Sequence, residues 1–205
     1  MNRSWSRAKV FLVFSLLPLL WMGTGCDKRP LIERLLSKDA AVQSKAIKKL
    51  AKLSPEKKIE LIPPLINALG NNDNDTVSSA AKALVVIGGE AVPALTGSLK
   101  SEDPFVRLVS LDSLGKIGAP SAPATPQILE MLMDKHPLVR EEAVRTLDKL
   151  GPGGGDIVPG LAKALKDSSK YVRVSAKEAL EKIGTDKAKE AIKKIPPEKK
   201  PPARG

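Results

Sequence analysis

The chain has 205 residues, 42% of them hydrophobic and 28% charged, with a net charge of +11. That is enough apolar matter for a folded core and too much for a chain disordered throughout. One Cys, one His and 3% aromatics exclude a disulfide framework, Cys-based or multi-His metal centres, Cys/His nucleophile pairs and stacking platforms for single-stranded nucleic acid. What is left is rich in Ala, Leu, Val, Ile and Lys, a helix-forming composition.

Residues 1–9 carry Arg3, Arg7 and Lys9 without an acid, and residues 10–22 (VFLVFSLLPLLWM) are almost wholly apolar. Gly23, Thr24, Gly25 and Cys26 follow, which completes the order of a secretory signal peptide over residues 1–25. The apolar run falls short of the ~20 residues a spanning helix needs, and Pro18 interrupts it. An uncleaved anchor is the alternative. The placing of Cys26 resembles the lipobox of bacterial lipoprotein precursors, whose Cys is lipid-modified and becomes the first residue. That family has an aliphatic residue three places before the Cys, where this chain has Gly23. Ordinary cleavage after Gly25 exposes Cys26 as well. The resemblance implies export to the periplasmic side of the envelope, lipid attachment at Cys26, and a short linker over 26–30. Two or three acyl chains hold a protein stably to a membrane where one holds it marginally.

The remainder repeats itself. Residues 92–118, 125–151 and 158–184 align, with Pro93, Pro126 and Pro159 recurring every 33 residues. Val106, Val139 and Val172, each followed by Arg107, Arg140 or Arg173, keep the same period, and Gly118, Gly151 and Gly184 close the units. Residues 63–88 form an earlier copy one residue short, and residues 31–54 a first copy with Ser54 in the closing Gly place. Each unit reads as two helices. The first opens on Pro, whose missing N–H costs nothing there. Asp103, Asp134 and Asp167 with Ser168 mark the turn. In the second helix the apolar places fall 0, 4, 7 or 8 and 11 residues after the Val, one stripe at ~100° per residue, and the Gly ends it. Nothing alternates with period two, so strands are excluded.

This pattern resembles HEAT-like repeats, in particular the short bacterial type, over residues 31–184. The Trp/Leu-Gly/Tyr series of tetratricopeptide repeats and the TPLH motif of ankyrin repeats are absent. The resemblance implies an all-α, right-handed α-solenoid of about five stacked hairpins, capped by residues 186–195, so that 31–195 form one solenoid. Residues 196–205 (PPEKKPPARG) read as a disordered basic tail. Asp134 recurs with Arg140 and Asp167 with Arg173, and the acid nearest Arg107 is Asp103; the resemblance makes Arg107, Arg140 and Arg173 with Asp134 and Asp167 a structural ladder between neighbouring repeats, with an Arg stripe gripping phosphates as the alternative.

Places 2 and 5 after the Val point away from the stripe. They hold Leu108 and Val174, and Ile47, Ala81, Leu111 and Val144. Leu108, Leu111, Val144 and Val174 are therefore candidates for a partner-binding column, with packing against the next repeat as the alternative. Catalytic HEAT-like groups fit poorly. The deoxyhypusine hydroxylase group holds iron with several His-Glu pairs, and this chain has only His136. The phycobilin lyase group handles bilins, and no residue here marks a bilin site. The run Gly151–Asp156 lacks the Lys-Ser/Thr ending of a phosphate loop and reads as a linker. Residues 26–60 carry ten basic and five acidic groups, residues 61–118 four and six, residues 119–184 ten and nine, and residues 185–205 seven and three. The balanced centre and the export signal weigh against nucleic acid as a partner.

These observations point to a non-catalytic, exported, lipid-anchored scaffold. It binds a protein partner on its concave face, as a monomer, without cofactor or metal. The alternatives are a phycobilin-lyase-like or other modifying enzyme on the same fold, and a cytoplasmic binding module that keeps its N-terminal anchor.

Overall fold

The computed structural model describes residues 29–151 and 155–194. The expected leader, Cys26, most of its linker, part of the Gly-rich run and the tail lie outside these residues. Twelve α-helices run through the described residues, and no strand occurs among them. They are α1 (Leu31–Leu35), α2 (Ala40–Ala51), α3 (Pro55–Ile59), α4 (Ile62–Ala68), α5 (Asn74–Ile87) and α6 (Val92–Ser98). The series continues with α7 (Pro104–Ile117), α8 (Thr125–Glu130), α9 (Pro137–Leu150), α10 (Val158–Ala164), α11 (Lys170–Ile183) and α12 (Asp186–Lys193).

Local chemistry sets each boundary. Prolines stand in the first turn of α4, α6, α8 and α10, where no donor is lost. Asp39, Asp73 and Asp103 cap α2, α5 and α7, each accepting from backbone N–H groups of the first turn. Gly88, Gly118, Gly151 and Gly184 end the four long second helices at φ of 85°, 75°, 57° and 65°, a region that a Cβ penalises.

Five hairpins result: α1/α2, α4/α5, α6/α7, α8/α9 and α10/α11, each packed internally. The second helices α2, α5, α7, α9 and α11 also pack on one another in chain order. A hairpin cannot bury its apolar stripe alone, but a stack can. Accordingly one hydrophobic cluster runs unbroken from Leu35 to Ala188. The fold is therefore an all-α solenoid. The stretch Asn74–Ser98 is long and apolar enough to pass for a membrane span. Gly88 breaks it into α5 and α6, whose Leu84, Ile87, Val92 and Leu95 belong to the core.

Helix α3 has no counterpart in the repeat pattern. Pro55 opens it after Ser54, and it buries no residue fully, so it fills the connection between the first two hairpins. The closing helix α12 buries Ala188 against the stack and keeps its lysines in solvent.

Candidate functional site

The repeated Val-Arg places a guanidinium at the joint between hairpins. Arg107 donates through Nε and Nη2 to the two carboxylate oxygens of Asp134, at 2.7 and 2.8 Å, while its Nη1 donates to the Ser101 and Glu102 carbonyls. Arg140 repeats this with Asp167 at 2.7 and 2.8 Å, its Nη1 donating to the Asp134 carbonyl at 2.9 Å. Both pairs are fork-to-carboxylate contacts. Side-chain exposure is 6% on each side of the first and 13% and 10% in the second. Burial pushes the Asp134 carboxyl up. The Arg107 guanidinium and the His136 N–H oppose that more strongly and hold it below the usual carboxylate range. Arg140 holds Asp167 low against the same cost.

Each ladder bond thus spans two hairpins, joining an Arg to the Asp 27 residues later. Within one hairpin the Arg reaches the Asp carbonyl, not its carboxylate. Arg173 does likewise, donating to the Asp167 and Ser168 carbonyls. Upstream, Val77 is followed by Ser78, and Ser101 holds the place of Asp134 and Asp167, so the joint between the second and third hairpins lacks both members of the pair. The first two hairpins are joined by Lys38 to Asp73 at 2.9 Å and by Gln43 to the Ser79 hydroxyl.

The second-helix face has two characters. Across α2, α5 and α7 runs an apolar groove of about 690 Å³. Ile47, Ala81, Val85, Phe105 and Val109 form much of its wall, with Lys82 and Lys116 at its side. Across α7, α9 and α11 the face closes. Gly115 lets α9 approach so far that a Cβ there would stand 2.9 Å from Cδ of Lys149, and the Thr146 hydroxyl donates to the Leu111 carbonyl at 3.0 Å. Charge covers this part: Lys116 to Asp112 at 2.6 Å, Lys149 to Asp112 at 3.5 Å, Arg145 to Glu141 at 2.7 Å and Lys182 to Asp148 at 3.0 Å. Glu142 lies among them half-buried. Loss of water raises its carboxyl above the usual range despite Lys149 nearby.

Of the four residues expected in a partner-binding column, two are not available. Leu111 and Val144 are 0% and 1% exposed. A solenoid helix packs on its own hairpin and on the second helices before and after it, so its buried arc exceeds one stripe. The same place in the last hairpin is Lys177, exposed because no further second helix packs on α11 among the described residues. Leu108 is partly buried against the core, and Val174 is 41% exposed. Ile47 and Ala81 remain half-buried in the groove wall. His136 is half-buried, and its Nδ1 lacks a hydrogen-bond partner. Phe105 was missed: its signal is an aromatic directly after the helix-opening Pro104. Among the described residues no group of three His, Cys, Asp or Glu side chains is placed to hold a metal.

A model of HEAT repeats matches residues 29–101 and 125–201, more than half of the chain. A stretch of 69 residues is 45% identical to the uncharacterized phycocyanin operon protein Z of Pseudanabaena tenuis (strain PCC 7409), covering 29% of this chain and 34% of that protein. The match thus spans about a third of that relative's length. Among solved structures, crescerin uses a TOG domain array to regulate microtubules in the primary cilium. Its chain superposes with a TM-score of 0.55 at 22% identity, over 81% of this chain and 82% of that one. A chain from the complex of CpcE and CpcF of phycocyanin lyase from Nostoc sp. PCC7120 superposes at 0.52 and 19% identity, over 73% and 95%. At such identities the likeness speaks for the fold alone.

Proposed function

This chain belongs to the HEAT-repeat family, and we propose that it is a non-catalytic scaffold, exported, held to the envelope membrane through Cys26, and gripping a protein partner on its second-helix face. The groove across α2, α5 and α7 carries this reading. An apolar concavity of about 690 Å³ on a soluble surface is costly to leave in water unless something fills it. Two acidic or hydroxyl groups at its wall are committed to structural bonds: Ser113 donates to the Val109 carbonyl and Asp112 pairs with Lys116 and Lys149. The order of residues 1–26 supports export and acylation.

Photo-crosslinking from position 85 in intact cells tests the groove. The expected result is a discrete protein adduct that Phe105→Glu abolishes. An equal adduct from exposed Lys163, on the other side of the rod, refutes the reading. Intact mass tests the address: loss of residues 1–25 with acyl mass on Cys26 supports it. The unprocessed chain favours a binding module that keeps its N-terminal anchor.

A second reading, a phycobilin-lyase-like or other modifying role, draws on the 69-residue match and on the phycocyanin lyase complex. Transfer of bilin absorbance to an acceptor protein in the presence of the purified chain supports that role. A spectrum unchanged from the chain-free control favours the scaffold.

A further inference from the structure

Every first helix of the solenoid ends, and every second helix begins, on the same edge of the rod. On that edge one place recurs. Phe105, Leu138 and Tyr171 each stand at the second residue of α7, α9 or α11, 33 residues apart, and are 43%, 52% and 71% exposed. Met133, in the 3-10 turn that follows α8, adds a side chain 80% exposed, and Val174 lies one turn beyond Tyr171. Chance scatters exposed apolar residues singly; here they form a ridge.

Charge on this edge has one sign where the ridge is most exposed. Asp134 and Asp167 are taken by Arg107 and Arg140. Exposed Lys135, Lys166 and Lys170 stand between Met133, Leu138 and Tyr171. Helix α12 runs beside α10 so that Lys194 comes next to Lys166, extending the basic edge. Glu130 and Glu190 sit a turn back from it, Glu190 at 3.9 Å from Lys194. Beside Phe105, exposed Glu102 and Asp103 offset Lys100, so the basic ridge is centred on the fourth and fifth hairpins.

We infer that this edge is an interfacial docking surface for an anionic bilayer. Phe105 also lines the groove, but Met133, Leu138 and Tyr171, at 80%, 52% and 71% exposure, stand out from the surface, so they suit a fluid apolar boundary better than a peptide. Such side chains enter about 5–10 Å into the headgroup–acyl boundary. A Tyr places its ring there and its hydroxyl in the headgroups, and the flanking lysines meet the anionic phosphates. The inference does not depend on Cys26, since every ridge residue and flanking lysine it uses lies between Phe105 and Lys194.

The test uses the full chain with vesicles of phosphatidylcholine alone, or with about a quarter phosphatidylglycerol, and reads lysine acylation by mass spectrometry. Lys135, Lys166 and Lys170 should be protected several-fold on the anionic vesicles only, while Lys45 and Lys82 stay reactive. Each of Lys135→Glu, Lys166→Glu and Lys170→Glu should weaken partitioning at least about five-fold, the ~1 kcal/mol of a cation near an anionic surface. Met133→Ser with Leu138→Ser and Tyr171→Ser should remove the protection with the helical circular dichroism unchanged. Equal labelling of the wild-type chain on both vesicles overturns the inference, as does protection of Lys82 in place of the ridge. Attachment to neutral vesicles reports on the N-terminal anchor separately, so failure of one leaves the other readable.

Discussion

Removing the Asp167 carboxylate separates a structural ladder from a decorative one. In Asp167→Ala, Arg140 keeps its bond to the Asp134 carbonyl but loses both carboxylate bonds, at 2.7 and 2.8 Å. Its side chain is 13% exposed, so water replaces the partner poorly. Removing one member of a buried pair costs about 3–5 kcal/mol, and a pair still one-tenth wet belongs at the lower end. The Ser169 N–H at the head of α11 also loses its acceptor at 2.7 Å, about 1 kcal/mol more. A loss near 4 kcal/mol corresponds to a fall in Tm of about 8–15 °C for a chain of this size. Urea unfolding followed by circular dichroism measures it for Asp167→Ala, Arg140→Ala and the double variant. The cycle should return a coupling of at least about 1.5 kcal/mol. Asp134→Ala should cost more than Asp167→Ala, because the Arg107 pair is drier. A coupling indistinguishable from zero, or the reverse ranking, refutes the account.

The pH dependence has a definite sign. Asp134 and Asp167 are held below the ordinary carboxylate range, so their contribution is full above about pH 4 and is lost as pH falls through their lowered folded values. Acid titration of Tm should show this loss, and Asp134→Asn with Asp167→Asn should flatten it. Glu142 has the opposite sign. Its charge costs stability above the raised folded value, so Glu142→Gln should increase Tm at pH 7 and lose that advantage in acid. Leu147, fully buried between stacked hairpins, should cost about 2–5 kcal/mol on replacement by Ala. Val174→Ser should stay within about 0.5 kcal/mol by the same urea assay. At Gly160 a Cβ would approach Cδ2 of Leu129 to 2.6 Å, so Gly160→Val should destabilise by about 1–3 kcal/mol through overpacking.

Repetition made the architecture legible. Pro, Val-Arg and Gly at a common spacing mark where helices begin, touch and end, and α6 to α11 lie where that spacing puts them. The ladder's partners were half-legible. Adjacency suggested Asp134 for Arg140, but the carboxylate faces the preceding hairpin's Arg107, because the turn presents its carbonyl inward and its side chain backward. Helical projection misplaced Leu111 and Val144, since one helix wheel contains no neighbours. Lys177 held the missing hint: a place that turns polar only in the final hairpin is a place the next hairpin covers. The groove depends on how far α2, α5 and α7 stand apart, a spacing set by paired side chains and absent from any single helix.

The Arg–Asp clamps begin only at Arg107. Neighbour-to-neighbour terms set the strength of a stacked array, so the joints of this rod are unequal. The three carboxyl-terminal hairpins are riveted, whereas the boundary between α5 and α7 relies on apolar contact around a partly open cleft. Bending and local opening concentrate at that boundary. The rod thus has a compliant amino-terminal segment attached to a stiff carboxyl-terminal one, and the groove straddles the seam where its width is easiest to adjust.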